Sequence, residues 1–274
     1  MVKRVVALLW LLLVALPGTA LAVWGGSEDV AHPSVGAMYF DFMGNGVAVP
    51  DGLICSGSYA GESKNGTADV FLTAGHCLPP AELGIAPDDL LVSFDRDGRD
   101  GVAAPIPALA YFQMPGFGHD AGDLHDLGIL LLPKDSVAAN IPAVQLPPAG
   151  HLDALKAAGA LKFRIADVVG YGVTPVWEPA GPTTFEFDGV RRSGTSIITG
   201  LTKSQVLYNQ NRNGIGTGSG LCFGDSGSPQ FDHGTLLVLS VTSGGNGQCN
   251  ANNANYRVDT PLARAFLGQF LVLP

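Results

Sequence analysis

Short apolar or alternating runs recur along the chain, at residues 36–42, 69–72, 90–94, 127–132, 163–169, 206–208 and 235–241. Val, Ile, Leu and Phe dominate them, and Gly, Pro or Asp/Asn clusters bound them. Runs this short, closed by turn residues, predict β-strands rather than helices. Helical patterns do not alternate with them, so the pattern predicts an all-β barrel or sandwich and not a parallel α/β sheet. Two helices are expected. One covers 151–158, between Pro147-Pro148 and Gly159. The other covers 261–271, where Thr260 can cap and Pro261 suits a first turn whose N–H groups lack partners anyway. The midpoint helix divides the chain into two β units.

Composition supports many tight turns: 37 Gly and 19 Pro stand against only 14% charged residues. The N-terminus has another character. Lys3 and Arg4 precede an apolar run at 5–16, Pro17-Gly18 breaks it, and Ala20-Leu21-Ala22 presents small residues. This is the pattern of a cleaved export leader over 1–22. The run is too short to cross a bilayer, which takes about 20 apolar residues. An exported chain without membrane attachment after cleavage is expected. The net charge of −9 disfavours nucleic acid as a partner, because phosphate binding needs a basic surface.

Four cysteines in an exported chain suggest two disulfides, for which arithmetic allows three pairings. Cys55, Cys77, Cys222 and Cys249 contain no close ligand pair of the zinc kind, and no metal is expected there. Asp95, Asp97 and Asp100 cluster around Gly98 and Gly101. This is either a weak calcium-loop pattern or a solvated turn. Asn65-Gly66-Thr67 is a glycosylation acceptor in a eukaryotic host.

Candidate chemistry sits in three separated stretches: FLTAGHC (71–77), HDLGILLL (125–132) and CFGDSGSP (222–229). Each alone is unremarkable. A histidine after a strand is usually structural, an aspartate before one often a turn residue, and a serine among glycines often only a turn. Together, in the order His, Asp, Ser, they resemble the chymotrypsin-like (trypsin-fold) serine endopeptidases, from Val23-Trp24-Gly25-Gly26 through to the terminal helix. A serine hydroxyl is a weak nucleophile that needs a base held in the right tautomer. The resemblance therefore implies Ser226 as nucleophile, His76 as general base and then acid, and Asp126 as the carboxylate orienting it. Asp126 is preferred to Asp120 and Asp123 because an apolar strand follows it directly. His125 receives no role.

The same resemblance implies two six-stranded antiparallel β-barrels and a C-terminal helix. One peptidase domain would span 23–274: a first barrel over 23–147, a linker with a short helix over 148–160, and a second barrel over 161–274. It implies an oxyanion hole from the Gly224 and Ser226 N–H groups, and disulfides Cys55–Cys77 and Cys222–Cys249. It also implies an ion pair between the α-amine of a new N-terminus at Val23 and Asp225, with leader removal itself exposing that amine. The specificity pocket would have Gly220 at its base and Gly244 on its wall, with Asn253 on another. A base without Asp argues against substrate Lys or Arg, whose charge would be buried unpaired, and suggests an apolar or small side chain. Ser228 stands where glycine is commonest, and Thr242-Ser243 where a Ser-Trp pair is common. The segment 176–196 is longer than usual. Protein or peptide substrates, no cofactor and a secreted monomer are expected. The competing expectation is a secreted, non-catalytic binding protein on the same fold.

Overall fold

The structure is a computed structural model that describes residues 23–102, 104–118, 123–177, 181–211 and 218–274. The expected leader and Asp120 lie outside the described residues. In chain order the strands of the first half are β1 (Ser27–Glu28), β2 (Val35–Phe40), β3 (Leu53–Glu62), β4 (Ala68–Thr73), β5 (Leu90–Ser93), β6 (Ile106–Pro107), β7 (Ala110–Gln113) and β8 (Gly128–Pro133). Helix α1 (His151–Ala157) follows. The second half holds β9 (Ile165–Gly170), β10 (Thr174–Val176), β11 (Thr184–Glu186), β12 (Arg192–Leu201), β13 (Gln205–Asn209), β14 (Pro229–Asp232), β15 (Val238–Gly245), β16 (Asn252–Arg257) and α2 (Pro261–Leu267).

Fourteen of the strands form two antiparallel seven-stranded sheets, and β10 and β11 pair as a separate hairpin. The second runs β1-β12-β13-β16-β15-β14-β9 and closes through β9 against β12, giving a six-stranded barrel with β1 outside it. The first runs β6-β5-β2-β3-β4-β8-β7 and is a curled half-barrel, not a second closed barrel. Its edge strand β6 has two residues and ends in Pro107, which has no N–H to offer a further strand. The chain start also crosses over: β1 pairs with β12, and Trp24 bridges Gly220. Residues 24–28 thus belong structurally to the second unit.

Close packing needs small residues between large ones. Every side chain of β4 is buried. A Cβ on Gly57 would come 2.3 Å from the Phe71 ring, and one on Gly36 would come 3.0 Å from it, so these two glycines admit the ring. Phe71, Leu72, Leu127, Ile129 and Leu130 form the centre of the first core, and Phe266 and Leu267 of α2 pack against it. A second cluster, Leu152, Leu161, Ile198, Val206, Tyr208 and Leu239, fills the closed barrel under α1. The Thr260 hydroxyl accepts the Ala263 N–H and caps α2. That helix ends at Leu267, and the chain turns over 268–271 where the apolar pattern had suggested more helix.

Candidate active site

Strand register brings His76 and Asp126 together. β4 pairs with β8 from Ala68↔Pro133 to Thr73↔Gly128. His76 lies three residues after Thr73 and Asp126 two residues before Gly128, the partners at one end of that pairing, so both emerge at the same edge. His76 Nδ1 lies 2.8 Å from Asp126 Oδ2, and the His76 backbone N–H donates to Asp126 Oδ1 at 2.8 Å. The Ser243 hydroxyl, from β15 of the other unit, also donates to Asp126 Oδ2. Asp126 is buried while the His76 ring remains one-third exposed towards the cleft. A carboxylate held from two sides in this way fixes the ring and the tautomer that presents Nε2 outward. Asp123, the competing acid, is occupied elsewhere: the Tyr256 hydroxyl donates to it at 2.7 Å.

Ser226 comes from the loop that enters β14, and Ser56 of β3 ties this loop to the first unit. The Ser56 N–H donates to Ser226 O (2.8 Å) and its hydroxyl to Gly224 O (2.9 Å). That hydroxyl also accepts the Tyr171 N–H, while Ser56 O accepts the Thr73 hydroxyl at 2.8 Å. Gly227 sits at φ +83°, and a Cβ there would stand 2.1 Å from Thr73 Oγ1, so only glycine lets the loop approach β4. Gly224 is at φ +89°. The N–H of Asp225 donates to Cys222 O and that of Gly227 to Thr242 O. The N–H groups of Gly224 and Ser226 have no acceptor among the described residues. Both expected disulfides are formed. Cys55–Cys77 pins the His76 turn to β3, and Cys222–Cys249 pins the serine loop to the segment before β16.

Asp225 is fully buried. Its Oδ1 accepts the Gly172 N–H and its Oδ2 the Cys222 N–H, each at 2.8 Å. A Cβ on Gly170 would come 2.1 Å from Oδ1, and one on Gly172 would come 2.6 Å from the carboxyl carbon, so glycines cradle the group. Burial pushes its pKa up to about 7 despite the two N–H donors. No cationic side chain pairs with it among the described residues. Val23, its expected partner, is also fully buried and packs against Val168 and Leu221, on the strand and loop that carry this cradle.

His76 and Ser226 face a common cavity of about 340 Å³. Phe223, Gly244, Gly245, Asn246 and Asn253 are among its walls, with Cys222 and Cys249. Gly244 and Asn253 line this cavity, whereas Gly220 is not among its walls. The place of a side chain on residue 220 is occupied: Trp24 Nε1 would be 2.4 Å, and Gln210 Cβ 2.6 Å, from its Cβ. The acidic turn at 95–101 is not a converging ligand set. Arg99 donates to Asp97 at 2.9 Å, and the only cluster of potential metal ligands among the described residues is Cys55, His76 and Cys77. Its two cysteines are spent in a disulfide. Sequence reasoning missed Ser56 and Ser243 as site residues, and read Thr242-Ser243 only as a departure from a common Ser-Trp pair.

The two β units and the cleft between them define the class: a trypsin-fold, serine-protease-like protein. The trypsin family profile matches residues 24–266, and the chain belongs to that family. Solved structures with this fold include one titled HL collagenase, at 16% identity and TM-score 0.58, covering 89% of this chain and 96% of that one. Human heparin binding protein follows at 17% identity and TM-score 0.61, covering 89% and 94%. The Vibrio cholerae VesB protease has 16% identity and TM-score 0.58, covering 88% and 65%. No curated protein sequence matches the chain significantly.

Proposed function

We propose that the protein is a secreted serine endopeptidase. The observation that carries this reading is His76 Nδ1 on the buried carboxylate of Asp126, with Ser226 in the same cavity. Ser226 attacks the scissile carbonyl as His76 takes its proton. Asp126 stabilises the imidazolium, and the N–H groups of Gly224 and Ser226 hold the oxyanion. His76 then protonates the leaving amine, and water releases the acyl group from Ser226 by the reverse sequence. No cofactor enters any of these steps.

Val23 supplies the activation step in this reading. Cleavage after Ala22 frees its α-amine, which pairs with Asp225 and holds the serine loop in place. A buried carboxylate with a raised pKa and no cationic partner among the described residues supports this assignment. The cleft favours uncharged substrate side chains, since no acidic residue is among its described walls.

The alternative is a non-catalytic binding protein, as the name of the human neighbour suggests for that molecule. A net charge of −9 opposes binding of a polyanion such as heparin here. Digestion of unfolded casein separates the readings. The wild type starting at Val23 is expected to cleave it, and Ser226→Ala to lose about 10⁵–10⁶-fold in rate. An inert wild type would reject the peptidase reading.

A further inference from the structure

Phe223 is a wall of the Ser226 cavity and also of a second cavity of about 300 Å³, and it is the one residue they share. Leu53, Ile54, Val173, Phe187 and Gly224 are among the other walls of the second. Asp51 is the one charged residue among them, and it is exposed. Ser226 and Gly224, whose N–H groups lack an acceptor among the described residues, therefore line one cavity each.

The walls of the second cavity are held in place. The Val173 N–H donates to Phe223 O at 2.7 Å. A Cβ on Gly224 would stand 3.2 Å from Leu53 Cδ2, so the start of β3 packs directly on the serine loop. Leu53 and Ile54 run into Cys55, whose disulfide reaches the turn of His76. The remaining wall comes from the segment 176–196, which is longer than usual. Phe187 follows β11, and Phe185 of β11 packs edge-on against Phe223, with ring centroids 5.3 Å apart. β11 pairs with β10, and Trp177 at the end of β10 donates its indole N–H to Gln248 O at 3.0 Å. Phe185 and Phe223 nevertheless stay 39% and 55% exposed. Large rings left open to water at a cleft mark a surface that another chain covers.

We propose that the β10–β11 hairpin and the start of β3 build a subsite for a large apolar side chain on the leaving-group half of the substrate, at one of the first two residues after the scissile bond. The inference rests on the peptidase reading of Ser226. In that reading the Ser226 cavity, walled by Gly244 and the Cys222–Cys249 disulfide, takes the side chain before the bond. A carbonyl oxygen held by both free N–H groups stands where the two cavities adjoin. The chain beyond the bond then reaches the second cavity across Phe223. Leu, Ile or Phe there takes its own surface and those of Ile54, Phe187 and Phe223 out of water. Asp51 does not make the subsite one for Lys, because an exposed ion pair contributes little. A substrate Asp or Glu would meet Asp51 and no cation among the described walls.

The test is a set of internally quenched peptides. All share one sequence before the scissile bond, taken from a mapped casein cut, and carry Leu, Phe, Ala, Asp or Lys at either of the two positions after it. The wild type beginning at Val23 is expected to cleave the best Leu or Phe peptide with kcat/KM about tenfold above its Ala counterpart. Phe187→Ala and Ile54→Ala are each expected to lower the Leu-to-Ala ratio several-fold, and a ratio cancels differences in the amount of folded enzyme. Phe187→Asp is expected to raise the Lys-to-Leu ratio, a gain that misfolding cannot produce. Ala, Asp or Lys preferred by the wild type at both positions, or ratios unmoved by every variant, would overturn the subsite. Casein digested by the same preparation, with fragment masses mapping the cuts, keeps the two readings apart. Casein cut without preference for apolar residues after the bond refutes the subsite and leaves the peptidase standing. Casein and all peptides left intact refute both.

Discussion

Asp126 accepts from the His76 backbone and from Ser243 and faces the His76 ring, all in buried surroundings. Asp126→Asn is expected to cut kcat by about 10⁴-fold through the wrong His76 tautomer, with KM little changed. Ser243→Ala removes one bond to a charged acceptor and should lower kcat by roughly ten- to a hundredfold. Steady-state kinetics on one amide substrate checks both. At this scale His76, Asp126 and Ser226 were legible because each sits in a short local motif. Ser243 and Ser56 were not. Ser243, for example, meets Asp126 from 117 residues away, and no local pattern encodes such a partner.

Among the elements, the strands rich in Val, Leu, Ile and Phe were readable, and β2, β4, β5 and β8 lie within a few residues of their apolar runs. Strands such as β3, β12 and β16 were not. They are made of Gly, Ser, Thr, Asn and Ala as much as of apolar residues, and many of these small residues are partly or fully buried by contact with other strands. Ser56 and Ser58 of β3 are fully buried, so the polar letters that hid the strand are core residues. The curling of the first sheet without closure was equally hidden, because it depends on how short β6 is. Ser56→Ala would strand the Tyr171 N–H and loosen the join between the units, with an expected loss of about 1–3 kcal/mol by denaturant unfolding. Gly227→Ala forces a left-handed φ and a clash with Thr73. It should lower Tm and reduce kcat together, where Ser56→Ala acts mainly on stability.

At the scale of the whole molecule, the fully buried Asp225 lies between the serine loop and the chain start. Asp225 has a folded pKa of about 7, above the ordinary carboxylate value of 3.8, so folding takes up a proton at this group. Its contribution to stability is full below about pH 4, declines as pH rises through about 7, and is flat beyond that. A form with residues ahead of Val23 still attached should lose Tm over that window. The form beginning at Val23 should not, because a buried ammonium keeps the carboxylate charged. Parallel melting curves from pH 4 to 8 check the difference.

The central claim, a working His76–Asp126–Ser226 triad, is tested most directly by reaction of the protein beginning at Val23 with a fluorophosphonate. The account predicts one label per chain, carried on Ser226, absent in Ser226→Ala and strongly slowed in Asp126→Asn. Folded protein that stays unlabelled, or that carries its label on another residue, would contradict it.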